Sequence, residues 1–368
     1  MSTTHDSTPD SPDKGTGTRA DSGRMRAMVV RAPGAAPALE TVARPTPGPG
    51  EVTVDVTACG AGLTLEMARD GSLGGTFPRI LGHELSGRVR RAGPGVTRWR
   101  PGDRVTTSFY LTCGHCFSCA HGRETLCQDF RGFVGSAIDG GFAETVRLPA
   151  RNLVAVPDGV RLADAGIVAD AVATPLHVVN SRLRTPPGAW VAVVGAGGGL
   201  GVHMLGVLNA VGARTVAVDS RPAKCAEIER RGLADAVLDA DAWAAAAGRF
   251  GPGGITGVVD CVGSAATLDA SLNALAPGGT LVVLGAAPGA EARLPGLGLI
   301  LRELTVTGTR YANRTEIAQA LDLVGARKVT PVIGARYPLE RLPAAFEEIR
   351  RGEVFGRILI DVAPEDPA

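Results

Sequence analysis

The stretch that decides the fold runs from Trp190 to Asp219 and begins Trp-Val-Ala-Val-Val-Gly-Ala-Gly-Gly-Gly-Leu-Gly. It contains an apolar strand, a glycine turn, a helical apolar pattern and a second strand, which together are half of a mononucleotide-binding βαβ unit. Gly195, Gly198 and Gly201 allow a sharp turn, close approach of backbone amides to a pyrophosphate, and packing of the helix on the sheet. The pattern predicts a dinucleotide site, and an ordinary α/β turn is the alternative.

Asp219 ends the second strand, 24 residues after Gly195. A carboxylate at this position hydrogen-bonds the ribose hydroxyls of NAD(H) and repels the 2′-phosphate of NADP(H). The sequence therefore favours NAD(H). NADP(H) stays open, because Ser220, Arg221 and Lys224 follow directly and residues of this kind can hold a 2′-phosphate.

The composition is that of an ordinary globular protein with room for two domains. The chain has 368 residues, of which 45% are hydrophobic and 20% charged, and its formal net charge is +1. Because no basic stripe is concentrated anywhere, we expect neither nucleic acid nor an anionic membrane surface as a partner. A small-molecule substrate is the better expectation.

Two segments bear on the compartment. Residues 189–213 carry no charge, but seven glycines and Asn209 favour a buried strand and helix over a membrane span. Residues 1–24 are rich in Ser, Thr, Asp, Pro and Gly without an apolar core segment, so we expect a disordered tail and no cleavable signal. Cytoplasm is the predicted location.

Four of the seven cysteines lie within fifteen positions. Cys113, Cys116, Cys119 and Cys127 have the spacing Cys-x2-Cys-x2-Cys-x7-Cys, which lets four thiolates surround one zinc ion tetrahedrally. An iron–sulfur cluster is the chemical alternative, although its usual last spacing is shorter. Four thiolates leave no open position for a substrate, so we predict a structural zinc.

The order of the elements predicts an α/β protein. Short strand patterns separated by Pro and Gly fill the first 150 or so residues, and after Trp190 six strands alternate with helical patterns as in a doubly wound parallel sheet. The predicted strands of the second half begin near residues 191, 215, 236, 257, 280 and 304. Two amphipathic helices, at 315–324 and 342–351, and a strand at 357–362 complete the chain.

This order, the glycine turn and the four-cysteine lobe resemble the medium-chain dehydrogenase/reductase superfamily, in its zinc-type alcohol dehydrogenase branch. The resemblance covers residues 25–362. It implies a GroES-like catalytic domain over 25–178 with a structural-zinc lobe at 108–128, a Rossmann domain over 179–318, and a return to the catalytic domain over 319–368. It also implies a site in the cleft between the domains and a homodimer or homotetramer.

In this family the catalytic zinc binds a Cys, the His of Gly-His-Glu and a later Cys or Asp. His83 and Asp170 match two of these ligands, but the first ligand position falls on Gly62. Glu84 or Glu66 could substitute for the missing thiolate. The resemblance thus implies either a substituted zinc site or a remnant of one, and we expect the metal to be lost.

Without zinc, the pocket could still pass a hydride to an electrophilic acceptor. Thr64, which keeps the hydroxyl of the family's proton relay, His83 or Tyr110 would then supply or relay the proton. Asp170 and Glu84 would tune the pKa of His83. The alternatives are that Tyr110 is pocket wall, His83 a hydrogen-bonded relic and Thr64 a cap of its turn.

The resemblance also implies the cofactor contacts. Loops after strand ends match the nicotinamide and ribose positions, Arg357 matches a pyrophosphate-binding Arg, and Thr174 matches a position beside the nicotinamide. The predicted set is Thr174, Gly195, Gly197, Gly198, Gly199, Leu200, Gly201, Asp219, Ser220, Lys224, Cys261, Val262, Leu284, Gly285 and Arg357.

Three functions therefore remain. The first is an NAD(P)(H)-dependent reductase of an activated C=C, C=N or C=O bond that works without catalytic zinc. The second is a zinc-dependent alcohol dehydrogenase with a substituted ligand set. The third is a nucleotide-binding relative that has lost catalysis.

Overall fold

A computed structural model describes residues 23–183, 186–246, 248–251, 253–287 and 289–363. The elements before the glycine turn are β1 (Arg24–Val30), β2 (Ala38–Ala43), β3 (Glu51–Ala61), α1 (Thr64–Asp70), β4 (Arg79–Ile80), β5 (Glu84–Ala92), β6 (Arg104–Thr107), α2 (Phe117–Ala120), β7 (Thr145–Pro149), β8 (Leu153–Ala155), α3 (Leu162–Ile167) and α4 (Ala173–Val178). The elements from the turn onward are β9 (Trp190–Val194), α5 (Gly201–Ala210), β10 (Arg214–Val218), α6 (Pro222–Arg231), β11 (Ala236–Leu238), α7 (Ala240–Ala244), β12 (Ile255–Asp260), α8 (Ala265–Ala274), β13 (Leu275–Val283), α9 (Gly296–Arg302), β14 (Thr305–Gly308), α10 (Arg314–Gly325), β15 (Ile333–Pro338), α11 (Leu342–Arg351) and β16 (Arg357–Asp361).

The second half forms a six-stranded sheet in the order β11-β10-β9-β12-β13-β14. Every neighbouring pair in it is parallel, with Val216 opposite Ala192 and Val258 on the other side of Ala192. The chain leaves β9 toward β10 on one side and reaches β12 on the other, so the strand order reverses between β9 and β12. Ligands bind at such a reversal, beyond the carboxyl ends of the strands. The Rossmann sheet is therefore confirmed.

Side chains of β9 alternate between two cores. Val191 and Val193 belong to the core that contains α5 and α10, whereas Ala192 and Val194 belong to the core that contains α8. A strand with helices on both faces has no polar side, so it reads as a continuous apolar run. The uncharged segment 189–213 folds as β9 and α5 for this reason.

The catalytic domain contains two sheets, of three and seven strands. One has the order β2-β1-β4, and the other β15-β16-β3-β5-β6-β8, with β7 also paired to β3. In the second of these sheets, the strands β15 and β16 come from the end of the chain. β16 pairs antiparallel with β3, with Ile360 opposite Cys59. The end of the chain thus lies in the catalytic sheet. However, α10 is continuous across the predicted boundary at residue 318 and packs in the core of the parallel sheet, so the return begins after α10.

One helical stretch, Leu162–Leu183, is long and apolar enough to cross a membrane by composition, but 94% of its most apolar window is buried in the protein. Ala163, Ile167 and Ala171 pack on the catalytic sheet, and other faces pack on the core around α5. A helix that is covered on all sides is apolar on all sides. This stretch joins the two domains.

The predicted disordered tail lies mostly outside the described residues, which begin at Gly23. Arg24 already pairs with Ala43 as the first residue of β1, so this residue of the predicted tail belongs to a strand.

Candidate active site

A cleft of about 310 Å³ lies between the two domains. It is lined from the catalytic side by Thr64 and Asp170 and from the Rossmann side by the loops that follow β9, β12, β13 and β14. Ten of the predicted cofactor residues line it, namely Thr174, Gly195, Gly198, Gly199, Leu200, Gly201, Lys224, Cys261, Leu284 and Arg357. The other five, Gly197, Asp219, Ser220, Val262 and Gly285, are not among the residues that line it.

The glycine turn depends on two of its glycines for separate reasons. Gly195 has a φ of +79°, a left-handed conformation that an L side chain rarely adopts. Gly201 opens α5, and a Cβ atom there would lie 2.7 Å from the Cα of Ala196, which no real Cβ tolerates. The N–H groups of residues 195–198 are bonded within the protein, whereas those of Gly199 and Leu200 donate to no other described residue and lie at the start of a helix, an arrangement that binds phosphate.

Asp219 is buried at the carboxyl end of β10, and both carboxylate oxygens have backbone partners. The Gly197 N–H donates to Oδ2 at 2.9 Å, and the Arg221 N–H donates to Oδ1 at 3.0 Å. Lys224 packs its side chain on Gly197, and burial lowers the pKa of its ammonium group. Ser220 is exposed. The predicted acidic residue is thus fixed beside the turn.

The loops after β12 and β13 are held together by Asp260. Its Oδ1 accepts bonds from the N–H groups of Val262 and Gly263, both at 2.8 Å. Its backbone carbonyl accepts from Leu284 and Gly285, both at 2.9 Å. These hydrogen bonds hold the loops that carry Cys261 and Leu284 at the cleft.

Arg357 lies at the centre of a buried ion cluster on the floor of the cleft. Its Nε and Nη2 bind the two oxygens of Glu84 at 3.0 and 2.5 Å, and Nη2 also binds Oδ2 of Asp170 at 3.0 Å. Thr174 donates from its hydroxyl to the other Asp170 oxygen at 2.9 Å. Asp170 lies in a π-helical turn, Val168–Val172, a local irregularity that is frequent at functional sites.

The cluster has two carboxylates for one guanidinium. Burial raises the pKa of the Glu84 carboxyl, because loss of water outweighs the attraction of Arg357. Burial also pushes the pKa of Asp170 upward, but His83 and Arg357 outweigh it and leave that pKa below its usual value. When two carboxyl groups share a site, their pKa values move apart in this way, so Asp170 is the firmly ionised member.

His83 faces this cluster from the catalytic domain. Its Nε2 is 3.6 Å from Oδ2 of Asp170 and 3.7 Å from Oε1 of Glu84. This buried nitrogen forms no hydrogen bond with the part of the chain that the structure describes. The ring packs on Phe109, with centroids 4.6 Å apart. The nitrogen is therefore available to a proton, a polar substrate atom or a metal.

At Gly62, where the sequence resemblance places a thiolate ligand, the space is filled by the side chain of Arg357. A Cβ atom on Gly62 would lie 2.5 Å from Nη1 of Arg357 and 2.8 Å from its Cζ. The donor atoms of His83, Glu84 and Asp170 lie within 4.8 Å of one another. Two of these three donors are already bound to the guanidinium.

Two predicted residues lie elsewhere. Glu66 pairs with Arg69 at 2.7 Å and is not grouped with His83, so it is no substitute ligand in this arrangement. Tyr110 is buried, and its hydroxyl accepts a bond from Nε of Arg310 at 2.8 Å. Among the described residues that line the cleft, Tyr311 is present and Tyr110 is not. A catalytic role for Tyr110 thus stays a prediction without support from this geometry.

Sequence reasoning missed Tyr311. It lies three residues after β14, at the carboxyl end of a parallel strand, which is where such sheets place ligand contacts. It lines the same two cavities as Thr64 and is edge-on to Phe109, with ring centroids 4.8 Å apart. The strand end was a signal that could have found it.

The glycine turn is tied to the strand that carries Arg357 by a buried histidine. The Val332 N–H donates to Nε2 of His203 at 2.8 Å, so the ring carries its proton on Nδ1 and donates to the Gly199 carbonyl at 2.7 Å. Burial lowers the pKa of His203 to about 4. In turn, the Arg357 N–H donates to the Val332 carbonyl at 2.9 Å. One neutral imidazole thus connects both halves of the cleft.

The four-cysteine lobe has the geometry of a closed zinc site. Sγ of Cys113 lies 4.0 Å from that of Cys119 and 3.6 Å from that of Cys127, and Cys116 and Cys127 are 3.9 Å apart. Four sulfurs at about 2.3 Å from one zinc ion are separated by about 3.8 Å. Backbone N–H groups also donate to Sγ of Cys113 and Cys127 at 3.3 Å. The thiolates would hold zinc and carry no reaction step.

The lobe docks on the start of α10. Glu124 receives bonds from Nη2 and Nε of Arg314 at 2.6 and 2.9 Å, and the Asn313 side chain donates to the Gly122 carbonyl at 2.8 Å. Arg314 is the first residue of α10, which packs in the Rossmann core. The lobe thereby fixes the segment that precedes α10, which includes Tyr311.

Two sequence families match the chain. The alcohol dehydrogenase GroES-like domain matches residues 48–158, and the zinc-binding dehydrogenase family matches residues 199–326. The two matches correspond to the catalytic sheet and the Rossmann sheet.

Individual proteins match over nearly the whole chain. An alcohol dehydrogenase of Moraxella sp. (strain TAE123) is 33% identical over 92% of this chain and 99% of its own length. An acryloyl-coenzyme A reductase of Metallosphaera sedula is 31% identical over 91% and 99%. The structure of a thermostable alcohol dehydrogenase from Pyrobaculum aerophilum, solved also with cobalt and zinc bound, superposes with a TM-score of 0.85 at 33% identity, covering 92% of this chain and 100% of that one.

Proposed function

The chain belongs to the zinc-type alcohol dehydrogenase branch of the medium-chain dehydrogenase/reductase superfamily and is an NAD(P)-dependent oxidoreductase, and on this premise we propose that it reduces an activated C=C, C=N or C=O bond without catalytic zinc. The observation that carries the proposal is the position of Arg357. Its guanidinium lies against Gly62 and binds Glu84 and Asp170.

Catalytic zinc does not fit this donor set well. The metal needs three protein ligands and an open position, and its thiolate ligand is replaced by Gly62. A zinc ion would share two carboxylates with a guanidinium that already neutralises part of their charge, and the two cations would repel each other. No step of the proposed reaction is therefore assigned to a metal.

The cofactor, by contrast, fits the Rossmann side of the cleft. A bound nicotinamide cofactor supplies or accepts the hydride. The amides at Gly199 and Leu200 and the start of α5 would hold the pyrophosphate, and Arg357 borders the same space. Asp219 supports NAD(H), because a fixed carboxylate accepts from ribose hydroxyls and repels a 2′-phosphate. NADP(H) is the alternative, with Lys224 beside it.

The acceptor must be electrophilic on its own. Zinc lowers the pKa of an alcohol or polarises a carbonyl as a Lewis acid, and a pocket without it does neither. Conjugated carbonyls, iminium ions and thioesters of unsaturated acids take a hydride without such help. The acryloyl-coenzyme A reductase among the relatives bears a name of this kind, which supports the same acceptor class.

One observation favours the second candidate, a zinc-dependent alcohol dehydrogenase. Nε2 of His83 is buried without a hydrogen bond among the described atoms, and it points at two carboxylates in a group compact enough for one ion. In that case Glu84 would replace the thiolate. Arg357 would then have to give up part of its contact with Glu84 and Asp170.

Metal content and acceptor range together test the proposal. We expect one zinc per chain by elemental mass spectrometry, retained in His83→Ala and lost in Cys113→Ser. We also expect NADH oxidation with an enone, an iminium ion or a conjugated aldehyde, unaffected by chelator. Two zinc ions per chain and chelator-sensitive oxidation of a simple alcohol would establish the second candidate. Tight NADH binding with no turnover of any acceptor would favour a non-catalytic relative.

We further propose a homodimer or homotetramer in the cytoplasm, acting on a small molecule and binding neither nucleic acid nor membrane. The edge of the Rossmann sheet supports assembly. Leu297, Ile300 and Leu301 on α9 are 70%, 73% and 74% exposed beside β14, the last strand of the sheet. A second copy of the chain would cover these side chains. The reduced cysteines support the compartment.

A further inference from the structure

We propose that Tyr311 is the catalytic acid that protonates the acceptor during reduction, with Thr64 as its relay. The inference rests on the proposed function, since it assigns the proton source for that same reaction.

The position of Tyr311 is the first observation. The chain has three tyrosines, Tyr110, Tyr311 and Tyr337. Tyr311 lines the interdomain cleft together with Thr64, Thr174 and Asp170. It also borders a small adjoining cavity of about 10 Å³ that is lined by His83 and Phe109. Its phenol is therefore shared between the cleft and the His83 side of the site.

The proximity of Thr64 is the second observation. Thr64, at the start of α1, lines both the cleft and the small cavity together with Tyr311. A phenol and an aliphatic hydroxyl that border the same two cavities provide a two-member path for a proton. Burial raises the pKa of the Tyr311 phenol, and Asp170 and Glu84 add to that effect, so the group is protonated before the reaction.

The backbone of Tyr311 is the third observation. Its φ is +51°, in the left-handed region that a bulky side chain rarely occupies. Such a conformation is strained and persists where the surroundings enforce it, most often at active sites and ligand clamps. Here Arg314 anchors the following turn to the zinc lobe through Glu124. The strained residue thus brings a tyrosine to the lining of the cleft.

The other two tyrosines are already engaged. The hydroxyl of Tyr110 is bound by Arg310, and the hydroxyl of Tyr337 is bound by Glu348. Tyr110 and Tyr311 are ring neighbours, with centroids 5.4 Å apart, yet only Tyr311 is among the described cleft residues. The geometry thus distinguishes two tyrosines of one aromatic cluster.

The proposed reduction accounts for every electron and proton that moves. A hydride brings two electrons to the electrophilic carbon, and the π electrons of the reduced bond move to its other end. That atom forms a bond to the proton of the Tyr311 hydroxyl, and the O–H bond breaks to leave a phenolate. The phenolate takes the Thr64 proton, and solvent at the cleft mouth restores the Thr64 hydroxyl. Arg357 is the nearby positive charge that favours the transient phenolate.

The test compares Tyr311→Phe, Tyr110→Phe and Tyr337→Phe in the full chain, with NADH and 2-cyclohexen-1-one as the probe pair. We expect kcat of Tyr311→Phe to fall by about 10²–10³, the usual worth of a general acid. KM and the Kd for NADH, measured by fluorescence, should stay within about threefold, because the ring is retained. Tyr337→Phe should match the parent protein. In D₂O the parent should place deuterium on one face of the product's α-carbon, and Tyr311→Phe should place it on both.

Several results would overturn the inference. Unchanged kcat or unchanged deuterium stereochemistry in Tyr311→Phe would exclude Tyr311 as the acid. A selective loss in Tyr110→Phe would assign the role to Tyr110 instead. Equal losses of kcat, NADH affinity and thermal stability in Tyr311→Phe would indicate a structural role. If the parent protein reduces neither this enone nor any other activated acceptor, the proposed function fails and this inference fails with it.

Discussion

Arg357, at the start of β16, and Gly62, directly after β3, occupy one small volume at the end of two paired strands, so that a Cβ atom on Gly62 would lie 2.5 Å from Nη1 of Arg357. The absence of a side chain at residue 62 and the presence of the guanidinium are two aspects of one arrangement. Arg357 is buried and bound to two carboxylates, so it cannot move aside without losing those bonds.

Restoring the missing cysteine alone should therefore fail to restore a metal site. We expect Gly62→Cys and its steric control Gly62→Ala to lose about 1–3 kcal/mol of unfolding free energy from overpacking, with one zinc per chain. Gly62→Cys combined with Arg357→Ala should gain a second zinc, and chelator should then destabilise it. A second zinc in Gly62→Cys with Arg357 retained would contradict this reasoning. Denaturant titration and elemental analysis measure both quantities.

The zinc lobe should stabilise the segment before α10. Removing one thiolate in Cys119→Ser should release zinc and disturb the Glu124–Arg314 contact, lowering Tm by roughly 5–10 °C and exposing residues 113–127 to protease. Cys225→Ser, a half-buried thiol outside the lobe, should keep both zinc and Tm. An unchanged Tm after zinc loss would mean that the lobe does not support α10.

His203 should make stability depend on acid. Its pKa is about 4 in the folded protein against 6.5 for the unperturbed group, so between these values the unfolded chain binds more protons. The contribution is complete above pH 6.5 and declines as pH falls toward 4, for a total of about 3 kcal/mol. Urea midpoints from pH 7 to 4 should fall more steeply for the parent than for His203→Gln. If the urea midpoints of the two proteins fall equally steeply with pH, His203 is not the cause of the acid dependence.

Asp219 should set the cofactor preference. Asp219→Ser removes the charge that repels a 2′-phosphate and the acceptor for ribose hydroxyls, so we expect the ratio of Kd values for NADPH and NADH to change by about 10–100-fold toward NADPH. Fluorescence titration of both cofactors measures it. Asp219→Asn, which keeps one oxygen for the Gly197 N–H, controls for loss of the turn. A parent protein that already prefers NADPH would contradict the assignment.

The α9 face should control assembly. Replacing Leu297, Ile300 and Leu301 by Ser together should convert the oligomer to a monomer in light scattering, because these side chains have little cover within one chain. Leu126→Ser, an exposed apolar residue in the zinc lobe, is the matched control and should leave the mass unchanged. A parent protein that is monomeric would refute the proposed assembly.

The pattern of apolar residues in the sequence predicted the sheets, because the residues of a strand that face a core are apolar. Val191 to Val194 is apolar throughout since helices cover both faces, and the predicted helix at 342–351 coincides with α11. Likewise, the short cysteine spacings predicted the lobe. These features depend on local chemistry, which the sequence displays directly.

The contacts within the site depended on residues far apart in the chain. Glu84 and Arg357 are 273 positions apart, and no local pattern indicates that the guanidinium reaches the carboxylate. The π-helical turn around Asp170 and the positive φ of Tyr311 are likewise set by tertiary packing. Glu66 was a reasonable ligand by sequence proximity, but the helix α1 directs it toward Arg69.

The placement of β16 in the catalytic sheet has a consequence for synthesis on the ribosome. Glu84 and Asp170 leave the exit tunnel long before Arg357, and the interval of 273 residues from Glu84 corresponds to roughly 15–55 s at ordinary translation rates. During that time two carboxylates lack their counter-charge and cannot be buried without cost. The ribosome synthesises the segment that forms the parallel sheet, β9 to β14, during the same interval. The nascent protein therefore finishes its nucleotide-binding half before its reaction centre, although both carboxylates of the reaction centre are encoded first.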